Sequence, residues 1–395
     1  KQEYRKLLDQ VLKILKKNKD ADINEIRQKL YENSGIESLL RDFFLKNKKA
    51  PGAVISFGVN NYQEKFVIGN SQEIAEKNGN LVYSPLEMKE DAIFDLASCT
   101  KLFTSVAILQ LAGNGEIRLD DNIKKYLPQF KNLGNNTVFD LLTFEPYYTE
   151  KRIDSAPMIL KYIVEEVTGM NFYQYIYNNI LVPGKMNNTF VKVPESSFDK
   201  IVNCNFDYRL LPDGRIIVRD YIYKGISSDT KAISLGQPSG YLSGHAGIFS
   251  TSDDMVSFGK GLMNGTILHP ALTNEMAKNR TGNASSLLPY YGFLCTSKHP
   301  NKYISDMHQG LSGNSLSMSG WTGTYFCIDP TNKINLTFLS NRVHNRLTSV
   351  SENQKYRLIG KDNKHLDYNG NQIIDASLYG FERRKITEAC LSLAI

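Results

Sequence analysis

Apolar residues recur at helical spacing through the first 46 positions. Leu7, Leu8, Val11, Leu12 and Leu15 form one set, Ile23, Ile26, Leu30 and Tyr31 a second, and Asp20-Ala21-Asp22 separates them. The pattern predicts a helical N-terminal extension over 1–46. Pro51-Gly52 marks a turn. Beyond it, AVISFGV (53–59) and KFVIG (65–69) are short β-prone runs on either side of Asn60-Asn61, and they predict a strand pair. Residues 71–92 are polar and predict a loop. From Ser98 to Leu111 an apolar run predicts a helix, stopped by Gly113-Asn114-Gly115. Residues 116–200 are mostly helical in pattern. One stripe (Leu160, Ile163, Val164, Val167) ends at Gly169, and another (Tyr173, Tyr175, Ile176, Ile180) ends at Pro183-Gly184. Strand patterns return after Gly247, at YFCI (325–328) and INLTFL (334–339), across Asp329-Pro330-Thr331-Asn332. A last helix covers roughly 382–394. Strands at both ends with helices between predict an α+β fold, in which a sheet drawn from both chain ends carries an inserted helical lobe.

The 395 residues are 41% hydrophobic and 22% charged, enough for a sizeable core. The net charge of +6 is spread along the chain. Basic runs such as Lys16-Lys17-Asn18-Lys19 fall on helix faces, and no nucleic-acid-binding motif accompanies them. The five cysteines, at 99, 204, 295, 327 and 390, are odd in number and far apart. They imply neither a disulfide framework nor a zinc site. No apolar stretch reaches the roughly 18 residues that a membrane-spanning helix needs. The chain begins with Lys1 rather than Met, so a leader or anchor and any membrane contact stay open.

Within DLASCTKLFTSV (95–106), Ser98 stands at the start of a helix whose next residues, Leu102, Phe103, Val106, Ile108 and Leu109, must be buried. Residues i and i+3 share a helix face, so Lys101 projects beside the Ser98 hydroxyl. An amine withdrawn from water gives up its proton more readily and can accept one from a serine. A helix N-terminus also directs N–H groups at an oxyanion. The alternative is an N-cap serine with a lysine extended to solvent. The same S-x-x-K string occurs at Ser197/Lys200, Ser228/Lys231 and Ser257/Lys260, where it reads as a surface coincidence.

The surroundings of Ser98 add to this reading. DLASCTKLFTSVAILQLAGNGEIRLDDNIKKYLPQF resembles the nucleophile segment of the serine β-lactamase and penicillin-binding protein superfamily, nearest to class C β-lactamases and their esterase and D,D-peptidase relatives. Asp140-Leu141-Leu142-Thr143 resembles a family turn, as do ILKYIVEEVTGMNFYQYIYNNILVPGKMNNTF (159–190), GYLSGHAGIFSTSDDMVSFGKGLMNG (240–265) and SGWTGTYFCIDPTNKINLTFLSNRVH (319–344) family segments. The resemblance covers about 47–345 and the last helix. It implies a β-lactamase/transpeptidase-like domain over 47–395, with an antiparallel sheet flanked by helices in 47–112 and 240–395 and an all-helical lobe over about 113–239. It also implies Ser98 as nucleophile, Lys101 as base, Asp154 as orienting carboxylate, and no cofactor or metal. The implied substrate is a small-molecule or cell-wall peptide or ester, with β-lactams included, and the implied setting is extracytoplasmic or the cell envelope.

Two motifs depart from the family. Its Tyr-x-Asn or Tyr-x-Asp falls here on Arg152-Ile153-Asp154. The Asp fits; the arginine cannot act as a base but can hold a carboxylate. Tyr147 and Tyr148 lie just upstream, and either one of them replaces the missing tyrosine or both are ordinary surface or core aromatics. The family's Lys- or His-Ser/Thr-Gly falls on Met318-Ser319-Gly320, which lacks the cation. Trp321 follows, and by resemblance its N–H is the second oxyanion donor. His245, within the GHAG element, is a further possible base or a structural residue, and Arg342 ends the last strand near the site. Two readings therefore remain: an active hydrolase of amide, ester or β-lactam carbonyls, and a catalytically impaired protein with a binding or regulatory role.

Overall fold

The structure, a computed structural model, describes residues 35–129, 134–144, 154–210, 216–218, 224–235, 242–281, 288–349, 374–376 and 378–394. Of the predicted N-terminal extension, 1–34 lies outside the described residues. Helix α1 (Ile36–Leu40) continues in π-type turns over Arg41–Lys46. Ile36, Leu40, Phe43 and Phe44 are buried there, so this end of the extension belongs to the core.

Strands β1 (Gly52–Val59) and β2 (Tyr62–Lys77) form the predicted hairpin, with Asn60 left-handed at φ 53°. Asn tolerates that conformation because its short polar side chain bonds locally. β2 runs well past the predicted strand end and pairs with β3 (Asn80–Glu87). The polar stretch 71–92, expected as a loop, is therefore largely a hairpin. Its side chains are mostly half-buried or exposed, so polarity there marks a solvent-facing sheet.

After β4 (Phe94–Asp95), a 3-10 turn at Ala97–Cys99 leads into α2 (Thr100–Gly113). Helices α3 (Val138–Leu142), α4 (Ser155–Thr168) and α5 (Phe172–Ile176) build the inserted lobe. The insertion also carries the hairpin of β5 (Tyr208–Leu210) and β6 (Ile216–Val218), followed by the short helix α6 (Thr230–Ser234). Then come β7 (Phe249–Ser250), α7 (Ser252–Asn264) and α8 (Pro270–Ala277). Strands β8 (Tyr290–Tyr291), β9 (Thr296–Ser297), β10 (Leu316–Ser319), β11 (Tyr325–Asp329) and β12 (Ile334–Ser340) return the chain to the sheet. β13 (Arg346–Ser349), β14 (Ile374–Asp375) and α9 (Tyr379–Ala394) follow.

The main sheet is antiparallel with order β3-β2-β1-β12-β11-β10-β9-β8. The two chain ends meet where Ala53 pairs with Ser340 and Val59 with Ile334. Alternation along β1 sends Ala53, Ile55 and Phe57 to one face, where α1 and α9 pack. Val54 faces the other side, with α2 and α7. Helix α2 is buried on nearly every side, as its unbroken apolar run requires. Its buried hydroxyls are satisfied: Thr104 Oγ1 donates to the Gly244 carbonyl at 2.6 Å and Ser105 Oγ to that of Phe293 at 2.7 Å. All five cysteines are buried and unbridged. Among the described residues no helix is long and apolar enough to cross a membrane.

Candidate active site

β4 pairs with β7, and Leu96 and Ala97 turn the chain from this short strand into α2. Ala97 is left-handed, at φ 46°. A non-glycine residue there costs about 1–2 kcal/mol, so neighbouring bonds must hold the turn. The fully buried Asp95 does this: its Oδ1 accepts the Ala97 N–H at 2.9 Å and its Oδ2 accepts the Ser228 N–H at 2.6 Å. Burial pushes the Asp95 carboxyl up, and the Ser228 and Ala97 bonds offset only part of that. The turn leaves Ser98 half-buried at the protein surface, with Lys101 buried behind it.

Lys101 Nζ donates to Ser98 Oγ at 3.1 Å and to Asp154 Oδ1 at 2.9 Å. Asp154 reaches this position as the residue immediately before α4. Burial works to raise its carboxyl, but the Lys101 charge and the bond from Lys231 outweigh that and hold it well below the usual carboxylate range. Lys231 Nζ donates to Asp154 Oδ2 at 2.8 Å. The Ser228/Lys231 string, taken from sequence as a surface coincidence, thus lies in the cleft beside the first one. It joins the site through a contact 77 residues away in the chain, which no local pattern records. Asp229 caps α6, and its Oδ1 meets His245 Nε2 at 3.0 Å. The buried His245 ring therefore supports the α6 segment, with Asp229 rather than Ser98 as its hydrogen-bond partner.

The opposite wall is β10 and the turn after it. Thr322 Oγ1 donates to the Asp95 carbonyl at 2.7 Å, Thr324 Oγ1 to that of Leu96 at 2.9 Å, and Cys99 Sγ to that of Met318 at 3.4 Å. These bonds stitch the strand end to the turn that carries Ser98. Gly320 lies so close that a Cβ would overlap Thr324 Oγ1 and the Leu96 carbonyl. Trp321, half-buried, follows directly, with the Arg209 guanidinium 5.9 Å from its ring and Arg342 Nη1 3.5 Å from its carbonyl oxygen. Met318 is buried; Ser319 is exposed and donates to Asp306 Oδ2 at 3.1 Å. Asp306 is gripped by Arg383 through both oxygens, at 2.7 Å each. Sequence reading missed this acid–base pair because Asp306 and Arg383 lie in different segments with no local signature. Burial pushes the Cys99 thiol up to about 12, which keeps it protonated. Arg152, Tyr147 and Tyr148 lie outside the described residues.

An antiparallel sheet between helix layers, with a serine-lysine pair at the head of the central helix, defines an α+β protein of the β-lactamase/transpeptidase-like fold. The chain belongs to the Beta-lactamase family, whose model matches residues 47–145 and 154–361. It is 23% identical over 335 residues to an N-acetylmuramyl-L-alanine amidase of Bacillus subtilis (strain 168), covering 70% of this chain and 74% of that protein. It is 25% identical over 344 residues to a putative D-alanyl-D-alanine carboxypeptidase of Escherichia coli (strain K12), covering 69% and 74%. A class C β-lactamase crystal structure matches 94% of this chain and 99% of its own at TM-score 0.60 and 13% identity, a likeness of fold. Family and relatives put the chain among hydrolases.

Proposed function

We propose that the protein is a serine hydrolase that works through a Ser98 acyl-enzyme on amide or ester carbonyls of D-alanyl cell-wall material, with β-lactams as slow acylating agents. The observation that carries this is the Ser98–Lys101–Asp154 chain of contacts at 3.1 and 2.9 Å. Ser98 Oγ forms a bond to the carbonyl carbon while Lys101, in its neutral form, takes the hydroxyl proton. The carbonyl electrons move to oxygen, which the N–H groups of Ser98 and Trp321 receive. Support for that second donor is the tight docking of Gly320 on Leu96. Collapse of the intermediate breaks the bond to the leaving group, which takes the proton from Lys101; water then hydrolyses the ester. The relatives, an amidase and a carboxypeptidase by name, favour amide substrates. They also favour action in the cell envelope.

Met318, in the position the family gives to a cation, favours a second reading: a protein that binds cell-wall material with little turnover. Intact-mass spectrometry after incubation with a penicillin, and separately with an activated ester, tests the two. The hydrolase reading expects a mass increase on the wild type and none on Ser98→Ala. No adduct from either reagent overturns it and leaves the binding reading.

A further inference from the structure

Lys231 is an unusual surface lysine. Its side chain is 56% exposed, yet it ends 2.8 Å from the Asp154 oxygen opposite the one that holds Lys101. One carboxylate thus lies between two ammonium groups, and the serine lies beyond the buried one. Four fixed contacts place the segment that carries Lys231. Asp229 Oδ1 accepts the N–H groups of Lys231 at 2.9 Å and Ala232 at 3.0 Å. His245, buried beneath, holds Asp229 at 3.0 Å. The Ser228 N–H is bound at 2.6 Å by Asp95, the same carboxyl that fixes the nucleophile turn through Ala97. A single buried side chain therefore sets both Ser98 and the α6 segment.

We propose that Lys231 is a positioning residue that controls when Lys101 can act as a base, by sharing the Asp154 charge with it. The inference rests on the serine hydrolase reading above and deepens it. An anion 2.9 Å from Lys101 stabilises its ammonium form, which cannot accept the Ser98 proton. A second cation on the other oxygen divides that attraction and adds its own repulsion, which eases transfer of the Ser98 proton to Lys101. The need for such a cation follows from the opposite wall. Met318 brings no charge, and beside it Ser319 meets Asp306, whose charge Arg383 already balances. Among the described residues, the charged and titratable groups facing the pair are Asp154 before α4, Lys231 and Asp229 around α6, His245 below them, Asp95 behind the turn, and the buried Cys99 thiol beside Ser98. Among these Lys231 is the exposed cation, and it comes from the lobe instead of the sheet.

The test is the pH dependence of Ser98 acylation by a p-nitrophenyl ester, followed by the burst of nitrophenolate in the full chain. In Lys231→Met, the acid limb of the profile is expected to move to higher pH by about one unit, the scale of one nearby charge. Lys231→Arg, which keeps the charge, is expected to return the limb toward the wild-type position. A merely structural lysine would lower the plateau and leave the limb in place. An unmoved limb in Lys231→Met, with the wild type still acylated, overturns this inference and spares the hydrolase reading. A wild type that is not acylated at any pH overturns both.

Discussion

Lys101 reaches Ser98 because the two stand three residues apart where a 3-10 turn becomes an α-helix, and among the described residues the buried amine meets that hydroxyl and Asp154. The pair is legible in the sequence for this reason: i,i+3 spacing at the head of an apolar run is a local fact. Asp154 was reached through resemblance, by counting back from Gly169. Lys231 was not reached, since its partner is distant in the chain and its own surroundings look like an ordinary capped turn. If Lys101 is the base, Lys101→Ala should slow acylation of Ser98 by about 10²- to 10⁴-fold, the usual contribution of a positioned base. The thermal midpoint should fall as well, because the buried lysine leaves a cavity and Asp154 keeps only Lys231 as its cation. Both are read on one preparation, by adduct formation rate and by melting. A rate within threefold of the wild type would take Lys101 out of the reaction.

Two elements that are far apart in the chain form the cleft, and their docking is as specific as the side chains in it. The turn after β10 lies on the Leu96–Ala97 turn through Thr322, Thr324 and the bare backbone of Gly320. Gly320→Ala puts a methyl group into that contact. Overpacking of this kind costs about 1–3 kcal/mol, and here it also moves Trp321 away from Ser98. The expected result is a lower urea midpoint together with loss of Ser98 acylation. Loss of stability with acylation unchanged would show that the turn does not shape the site. Sequence pattern located β11 and β12 well, because these strands are largely apolar and buried along their length. It failed at 71–87, where the hairpin faces solvent and its polarity imitates a loop.

Across the whole molecule, the sheet closes only when the last strands reach the first, so its stability depends on contacts between distant ends. His344 is one such tie. Its Nε2 accepts the N–H groups of Glu73 at 2.9 Å and Ile74 at 3.3 Å, beside the irregularity where β2 and β3 shift register. Its Nδ1 meets the Asn205 carbonyl oxygen at 2.9 Å. Burial lowers the imidazole from 6.5 to about 4. The folded protein therefore keeps His344 neutral over a range in which the unfolded chain takes up a proton. Stability from this residue is intact above about pH 6.5 and is lost as pH falls toward 4, by up to about 3 kcal/mol. Replacing it with glutamine, His344→Gln, should flatten the fall in urea midpoint between pH 6.5 and 4.5. An equally steep fall in the variant would assign the acid sensitivity in that window to groups other than His344; the carboxyls of Asp154 and Glu73, both held low, lose their contribution only below about pH 4.5. The topology that brings these ends together was legible in outline, from strands at both termini. Ties such as His344 to β2 were not, since a lone histidine in sequence carries no sign of its partner.

The central claim, that Ser98 is an activated nucleophile, is tested most directly by locating the adduct. After exposure to a penicillin, tryptic fragment spectra of the 90–101 peptide, which contains both Ser98 and Cys99, distinguish the two side chains. The account predicts the full mass of the opened β-lactam on Ser98 and none on Cys99. An adduct on Cys99, or an unmodified peptide after exposure to both the penicillin and an activated ester, would contradict it.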